Sequence, residues 1–317
     1  MKHILFIDSI QKLAIKKDTS LMIALTLKEN NISTWLLFEE DLYWNNSLDP
    51  LPMNVYNFSG SLDPQSYYIN DFCLLDKQKV VLEKGDILHM RIDPPFDLKY
   101  LRFLWILKAL KKNGVRIIND PEGILCYNEK LFAYEQTESM DTYVGRQPQE
   151  LEFFLGQLEK RGVDEVIMKP LDLYQGIGVE KVSMGHARRQ FLEKTQNLQG
   201  PVIVQPFNRE VVNGEIRSIF FNGTLLGNIL KVPKKGDFLA NIARGANFEL
   251  VELTAKQKST CQRISAELLN KGINLIAFDI LGNYISEVNI TCPGLLVEVS
   301  AAKKINLAQQ MIDLISR

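Results

Sequence analysis

Three oxygen-bearing side chains near the carboxyl terminus have the types and the spacing of a metal site. The segment IAFDILGNYISEVNI places Asp279 inside an apolar run, where an unpaired carboxylate would be costly to remove from water. Glu287 and Asn289 are two residues apart, so they share one face of a strand. If the segment is a hairpin centred on Asn283 with an odd-length loop, Asp279 lies directly opposite Glu287. Two carboxylates and one amide oxygen suit Mg²⁺, which keeps positions for water and phosphate, although a salt-bridged or hydrogen-bonded polar cluster explains the same spacing equally well.

Lysines beside turns in the middle of the chain could bind phosphate groups. Lys169 closes the predicted strand DEVIMKP, just before a loop with Gly176 and Gly178 whose backbone N–H groups can form an anion-binding nest. Lys130 lies in the first turn of the helix that NEKLFAYE begins, where a nearby anion would remove its conflict with the helix dipole. A surface lysine before a turn and a lysine tolerated in a first helical turn are the alternatives.

Further cations and a strand end add to this pattern. The run VIVQPF reaches Pro206, and a strand that stops pairing there exposes backbone groups able to contact an adenine edge. Arg217 and Lys231 add positive charge, and KVPKKGDFLANIARG combines cations and glycines as a mobile lid over phosphates would. Arg91 and Asp93 follow a predicted parallel strand, at the edge where open α/β sheets bind ligands. Their mutual pairing at the surface is the alternative.

The order of apolar runs predicts an α/β domain with a parallel sheet, followed by α+β domains that are largely antiparallel. The predicted strands of the first part are 3–8, 33–38, 85–91 and 115–120, its predicted helices are 19–29 and 98–114, and residues 45–70 are predicted to be an irregular insertion. Later elements are hairpins that turn at Asn222-Gly223 and near Asn283, a helix over 254–272 and a final helix over 303–316. The expected domains are N-terminal (1–120), central (121–205) and C-terminal with the metal site (206–317).

The composition is that of a globular protein with a sizeable core. The 317 residues are 46% hydrophobic and 24% charged, and this length favours two or three domains. A formal charge of -1 gives no basic excess for nucleic-acid binding. The four cysteines have no C-x-x-C pair and the three histidines no ligand spacing, so we expect free thiols in a reducing compartment and structural or solvated histidines. The start lacks the features of a secretory signal and no run approaches ~18 apolar residues, which favours a cytoplasmic protein without a membrane partner.

Together these segments resemble bacterial glutathione synthetase, an ATP-grasp ligase. The similar motifs are IKKDTS (15–20), MRIDPPFD (90–97), NEKLFA (128–133), MKPLD (168–172), GDFLANIARG (236–245) and FDILGNYISEVNITCP (278–293). They occur in family order over essentially the whole chain. The resemblance implies a substrate-binding α/β domain before the ATP-grasp domains and an enzyme that joins γ-glutamylcysteine and glycine through an acyl phosphate. It also implies ATP as co-substrate, Mg²⁺ or Mn²⁺ as the metal, and a homo-oligomer.

The resemblance further implies roles for individual residues. ATP would contact Lys130, Lys169, Tyr174, Gln175, Gly176, Gln205, Pro206, Phe207 and Asn208. The catalytic cations would be Arg217, Lys231 and Arg244. The peptide substrate would face Lys17, Asp18, Ser20, Arg91 and Asn241. The metal ligands would be Asp279, Glu287 and Asn289, in agreement with the spacing argument.

Several positions depart from the family pattern. Residues 173–175 carry side chains before Gly176, where the family usually has a glycine-rich turn. Leu239 stands at the family's usual Arg in the lid, and Cys292 and Gly294 stand where Ser and Thr are typical. Because these positions lie near the expected substrates, two alternatives remain: the same chemistry on another peptide or amino acid, and a nucleotide-binding homologue without ligase activity.

Overall fold

Three β-sheets organise the chain, whose computed structural model describes residues 1–48, 50–174, 176–198, 200–242 and 245–316. The strands of the N-terminal sheet are β1 (His3–Ile7), β2 (Thr34–Leu37), β3 (Leu51–Leu62), β4 (Ile69–Leu82), β5 (Ile87–Arg91) and β6 (Arg116–Ile118), in the spatial order β4-β3-β2-β1-β5-β6. The pairs β1-β2, β1-β5 and β5-β6 are parallel, as predicted. Among the described helices, none combines the length and the apolar character needed to cross a membrane.

Helices cover both faces of the parallel strands. All five residues of β1 are buried, as expected of an apolar strand that is covered on both sides. Leu5 belongs to the core that α1 (Thr19–Glu29) completes, whereas Phe6 points to the other face and packs edge-on against Phe103 of α2 (Leu98–Lys112). The alternation along one strand therefore ties both helices to the sheet.

Residues 45–70, predicted to be an irregular insertion, contribute instead to a long antiparallel hairpin of β3 and β4. Asn, Ser and Pro in this stretch are typical of loops, but Met53 and Val55 alternate with more exposed neighbours and are buried in the core. Gly60 allows close approach of the two strands, because a Cβ there would clash with the carbonyl oxygen of Asp71. Pairing with the next strand and burial against the core have overridden local composition.

The central sheet presents one face to its own helices and the other to a cavity. Its strands are β7 (Tyr143–Gly145), β8 (Glu165–Pro170), β9 (Glu180–Ser183) and β10 (Val202–Pro206), in the antiparallel order β7-β10-β8-β9. The helices α5 (Pro148–Lys160) and α6 (Met184–Leu198) pack on the face that holds Met168 and Val204. The opposite face carries Lys169 and Gln205. The helices α3 (Pro121–Cys126) and α4 (Glu129–Tyr134) connect this sheet to the N-terminal one.

The C-terminal sheet is antiparallel, as predicted. Its strands are β11 (Glu215–Phe221), β12 (Thr224–Val232), β13 (Asn247–Leu250), β14 (Leu275–Leu281) and β15 (Tyr284–Asn289), in the order β13-β12-β11-β14-β15. Asn222 and Gly223 have φ values of 48° and 75°, which fits the predicted two-residue hairpin turn. The predicted helix over 254–272 is present as α7 (Ala255–Leu269), and Thr254 caps it with Gln257 in a capping box.

The end of the chain differs from the single predicted helix over 303–316. Two helices are present, α8 (Leu296–Lys303) and α9 (Leu307–Ile315). Lys304 adopts a left-handed φ of 55° and ends α8, and the Asn306 side chain accepts a hydrogen bond from the Gln309 amide and begins α9. The buried face of α8 was missed because its run LVEVS contains an acid, Glu298.

The thiols and imidazoles are as the sequence predicts. The four cysteines are free. His3 and His89 are buried on adjacent strands, with 3.0 Å between Nδ1 of His3 and Nε2 of His89. His186 is exposed and lies 2.9 Å from the Ser183 hydroxyl.

Candidate active site

A cavity of about 510 Å³ opens where the three sheets meet. Its lining includes every predicted site residue that the structure describes: Lys17, Asp18, Ser20, Arg91, Lys130, Lys169, Tyr174, Gly176, Gln205, Pro206, Phe207, Asn208, Arg217, Lys231, Asn241, Asp279, Glu287 and Asn289. Gln175 and Arg244 lie outside the described residues. Residues separated by more than 200 positions thus share one space.

The centre of the cavity is an ion network around Asp279. This side chain is 4% exposed on β14 and accepts two hydrogen bonds from Arg217, at 2.9 and 2.7 Å, and one from Lys231 at 2.6 Å. Burial opposes ionisation of Asp279, but the two cations outweigh it and hold the pKa of this carboxyl below its usual range. The negative charge of Asp279, which the sequence analysis expected to be compensated, is therefore compensated by the side chains of Arg217 and Lys231.

The register of β14 and β15 sets Asp279 opposite Glu287, as predicted. The predicted reason was wrong, because the loop has two residues, Gly282 and Asn283, rather than an odd number. The partners of Ile280 and Asp279 are Ile285 and Glu287, so a bulge at Ser286 of β15 supplies the extra residue and restores the pairing.

Asn289 and Glu287 extend the network toward the cavity. The Asn289 amide nitrogen donates to the carbonyl oxygen of Ala277 at 3.0 Å and to Asp279 at 3.2 Å. Glu287 lies 3.1 Å from the ammonium of Lys130. The side chains of Asp279, Glu287 and Asn289 are therefore neighbours. Their arrangement is that of the salt-bridged and hydrogen-bonded polar cluster, which was the alternative to a metal site.

The two predicted phosphate-binding lysines are partly buried cavity residues rather than freely solvated ones. Lys130 lies in the first turn of α4 and donates to the carbonyl oxygen of Leu173 at 2.6 Å. Lys169 lies on the cavity face of β8 with its ammonium 5.3 Å from the ring centroid of Tyr134. Burial lowers the pKa of Lys169, while Glu287 and other acids of the network oppose that effect.

The end of β10 differs in one respect from the predicted adenine edge. The strand ends at Pro206, but the Phe207 amide still donates to the carbonyl oxygen of Glu165 at 2.9 Å. That donor is not available to a ligand. Gln205 is buried and donates to the Thr142 hydroxyl at 2.8 Å.

The lid and the loop after β8 approach each other across the cavity mouth. The ring of Phe207 packs edge-on against Phe238, with 6.2 Å between centroids. Gly176 has a φ of 73°, and a Cβ built there would lie 3.6 Å from the side chain of Leu239. The apolar side chain of Leu239 therefore lies beside the backbone of Gly176.

The N-terminal part contributes Arg91 and Asp18. Arg91 is 5% exposed and donates to the Ser20 hydroxyl at 3.0 Å and to the carbonyl oxygen of Pro293 at 2.9 Å. The alternative of a surface pair between Arg91 and Asp93 is therefore wrong. Asp18 accepts from the Leu21 amide at 2.8 Å and begins α1, and burial raises the pKa of its carboxyl.

Sequence reasoning missed three acids of the cavity lining, Glu129, Glu215 and Glu298. Glu129 accepts from the amides of residues 290 and 291, at 2.7 and 2.9 Å. Glu215 accepts from Lys231 and from the Ser286 hydroxyl, both at 2.8 Å. An acid within an otherwise apolar helical run was the available signal for Glu298.

Comparison with solved structures defines the fold class. The ATP-grasp ligase PsnB complexed with minimal precursor superposes with a TM-score of 0.64 and 13% identity, over 99% of this chain and 98% of that one. The chain therefore has the ATP-grasp fold that the sequence predicted.

Comparison with sequences defines the family. Residues 1–124 match the N-terminal domain of prokaryotic glutathione synthetase, and residues 129–304 match its ATP-grasp domain. The glutathione synthetase of Wigglesworthia glossinidia brevipalpis is 28% identical over 316 residues, 99% of this chain and 96% of that protein. That of Coxiella burnetii is 29% identical over 309 residues, 96% and 93% of the two chains. The chain belongs to the prokaryotic glutathione synthetase family.

Proposed function

We propose that this chain is an ADP-forming ligase that joins γ-glutamylcysteine to glycine and so makes glutathione. Family membership over both matched regions supports this reaction. The structural observation that most supports the proposed reaction is a set of ion pairs in one cavity. Asp279 pairs with Arg217 and Lys231, and Glu287 pairs with Lys130. A carboxylate-amine ligase needs such a site because it must hold the triphosphate of ATP, a metal ion and the carboxylate of the substrate close together.

ATP is proposed to lie between the central and C-terminal sheets. Lys130 and Lys169 would contact its phosphates, since both lysines line the cavity and the ammonium of Lys130 lies 3.1 Å from Glu287. Tyr174 and Gly176 would contribute from the loop after β8. The adenine would lie along 205–208, where it must use groups other than the Phe207 amide.

Asp279, Glu287 and Asn289 fit a divalent cation, with Mg²⁺ or Mn²⁺ indicated by the oxygen donors. Both amide hydrogens of Asn289 are used by Ala277 and Asp279, so its Oδ1 is the atom able to coordinate. Among the described residues no group of three or more His, Cys, Asp or Glu is arranged to hold a metal. A set of two carboxylates and one amide leaves coordination positions for phosphate oxygens and water. When bound, such a cation supplies charge neutralisation at the phosphates of ATP.

The reaction needs positioning and charge compensation rather than a protein nucleophile. The cysteinyl carboxylate attacks the γ-phosphorus of ATP, the bond to the β-phosphate oxygen breaks, and ADP leaves. The amine of glycine then attacks the acyl carbon and loses a proton, and the C–O bond breaks to release phosphate. Arg217 and Lys231 would hold the charge on the transferred phosphoryl group, and Arg244 remains a predicted third cation.

We also propose that the chain divides into domains at residues 1–120, 121–205 and 206–317. The strands agree with this division to within one residue, since those of the N-terminal sheet end at Ile118, those of the central sheet end at Pro206, and those of the C-terminal sheet begin at Glu215. The peptide substrate would lie at the junction with the first domain, near Lys17, Arg91 and Asn241.

The proposed reaction predicts that phosphate release from ATP requires γ-glutamylcysteine and glycine together. The measurement is phosphate release with Mg²⁺ and with each substrate omitted in turn, followed by a panel of other peptides and amino acids. Release with a different acceptor at higher kcat/KM would replace the proposed substrates. Binding of ATP without release on any acceptor would identify a homologue without ligase activity.

A further inference from the structure

Glu298 is a buried acid of the cavity lining to which the proposed reaction gives no role. It lies in the first turn of α8, is 2% exposed, and its Oε2 has no hydrogen-bond partner among the described residues. The cations whose charge acts on it are Lys17 and Arg217, and Arg217 is bonded to Asp279 instead. A buried carboxylate oxygen without a donor costs stability unless a ligand supplies the donor.

The position of Glu298 indicates where that donor comes from. Its side chain lines the same cavity as the Asp279 network, on the side formed by α1 and α8. The helix α8 is fixed to that side, because the Leu296 amide donates to the Thr19 hydroxyl at 3.2 Å. The proposed substrates therefore have access to a cavity wall that carries an unsatisfied acid.

The charges around Glu298 select the kind of ligand. Burial raises the pKa of both Glu298 and Asp18, while the charges of Lys17 and Arg217 favour ionisation of Glu298 and that of Asp18 disfavours it. Neither cation has a hydrogen bond to Oε2 of Glu298, so this oxygen still needs a donor. An ionised carboxylate or phosphate has no proton to donate to it, whereas a cation with several N–H groups does.

We propose that Glu298 accepts a hydrogen bond from the ammonium group of an amino-acid substrate. This inference rests on the proposed function, in which γ-glutamylcysteine and glycine each carry one ammonium. An ammonium brings a positive charge and three donors, and so it matches an orphan carboxylate oxygen beside a second acid. Glu298 is then a residue that positions and selects substrate by charge.

The test is Glu298→Gln, which keeps the shape of the side chain and removes its charge. We expect the KM of one amino-acid substrate to rise roughly 10- to 100-fold, as for loss of a charged hydrogen bond, while the KM for ATP stays unchanged. If the γ-glutamyl ammonium is the ligand, the KM for γ-glutamylcysteine rises. The wild type should then prefer γ-glutamylcysteine over glutarylcysteine, which lacks only that ammonium. This preference should disappear in the variant. If glycine is the ligand, its KM rises instead.

Controls separate this role from a structural one. Glu267→Gln, at an exposed position on α7, should leave both KM values unchanged. The thermal midpoint of Glu298→Gln should equal or exceed that of the wild type, since an unpaired buried charge has been removed. Unchanged KM values for both amino-acid substrates in a folded variant would overturn the inference.

Equilibrium binding separates failure of this inference from failure of the proposed function. Wild-type turnover with both substrates, together with unchanged KM values in the variant, rejects the role of Glu298 and retains the ligase. Absence of wild-type turnover, together with γ-glutamylcysteine or glycine binding that Glu298→Gln weakens, rejects the ligase and retains the ammonium site. Absence of both turnover and binding rejects both.

Discussion

Each acid at the centre of the cavity is held by a cation from a different element. Asp279 on β14 contacts Arg217 of β11 and Lys231 of β12, and Glu287 on β15 contacts Lys130 of α4. Such buried pairs contribute little net stability, but removal of one partner is costly because it leaves the other charge buried alone. The residues proposed for chemistry are therefore also structural.

Asp279→Asn is expected to lower the free energy of unfolding by about 3 kcal/mol, because Arg217 and Lys231 would lose their buried counter-charge. Denaturant unfolding at neutral pH measures this. Loss of turnover in this variant alone would thus not identify a metal ligand. An Asp279→Asn midpoint equal to the wild type would contradict the network as described.

Pairing between strands, rather than any single strand, brings the functional side chains together. The bulge in β14-β15 sets Asp279 opposite Glu287, and the pairing of β8 with β10 places Lys169 beside Ile203 with Gln205 two residues further on the same face. The parallel pair β1-β5 brings His3 and His89 into contact within the N-terminal sheet. We expect this histidine pair to make the stability of the protein depend on pH.

The protein should lose stability as the pH falls from about 6.5 toward 4. Burial, the positive amino terminus and Arg116 lower the pKa of His3 to about 4, and burial and His3 lower the pKa of His89. The unfolded chain binds these protons near pH 6.5 and the folded chain does not, so the full stabilisation is present above that pH and is lost below it. Unfolding midpoints measured across this range give the slope.

Exchange of one histidine tests the origin of that slope. His89→Gln should flatten the dependence of the midpoint on pH, whereas the exposed His186→Gln should leave it as in the wild type. Equal slopes for wild type and His89→Gln would show that other groups cause the acid sensitivity.

At the scale of the whole molecule, the cavity exists only because the N-terminal and C-terminal sheets are fixed to each other. Asn119, directly after β6, is 3% exposed and makes four hydrogen bonds across this junction. Its amide nitrogen donates to the carbonyl oxygens of Leu275 and Ile290, each at 2.7 Å, and its oxygen accepts from the amides of Asn274 and Leu275. One side chain thus fixes β14 and β15 relative to the first domain.

Asn119→Ala should lower the free energy of unfolding by about 3 kcal/mol, because buried backbone donors and acceptors of the C-terminal sheet would lose their partners. Chemical denaturation measures the change. Asn197→Ala, at an exposed position of α6, is the matched control and should shift the value by less than about 0.5 kcal/mol. A loss no larger than that of the control would mean that the junction is held by other contacts.

Local patterns in the sequence were sufficient for much of the fold. Apolar runs predicted β1, β2 and β5, and Asn222-Gly223 predicted its hairpin turn, because these features depend on neighbours in the chain. The β3-β4 hairpin was missed, since a segment of loop-like composition gains stability here only from pairing between the two strands and from burial against the core. The loop length before β15 was wrong for a related reason, since a bulge is a property of two paired strands.

The sequence by itself determined the residue types that the site requires, the segments that carry them and the family to which the chain belongs, because motifs and periodicity are local. Only the tertiary structure decided which opposite charges meet, which lysines are partly buried, and that Oε2 of the cavity acid Glu298 has no partner among the described residues. Those outcomes depend on contacts between residues far apart in the chain, and burial makes each unpaired charge costly enough to matter.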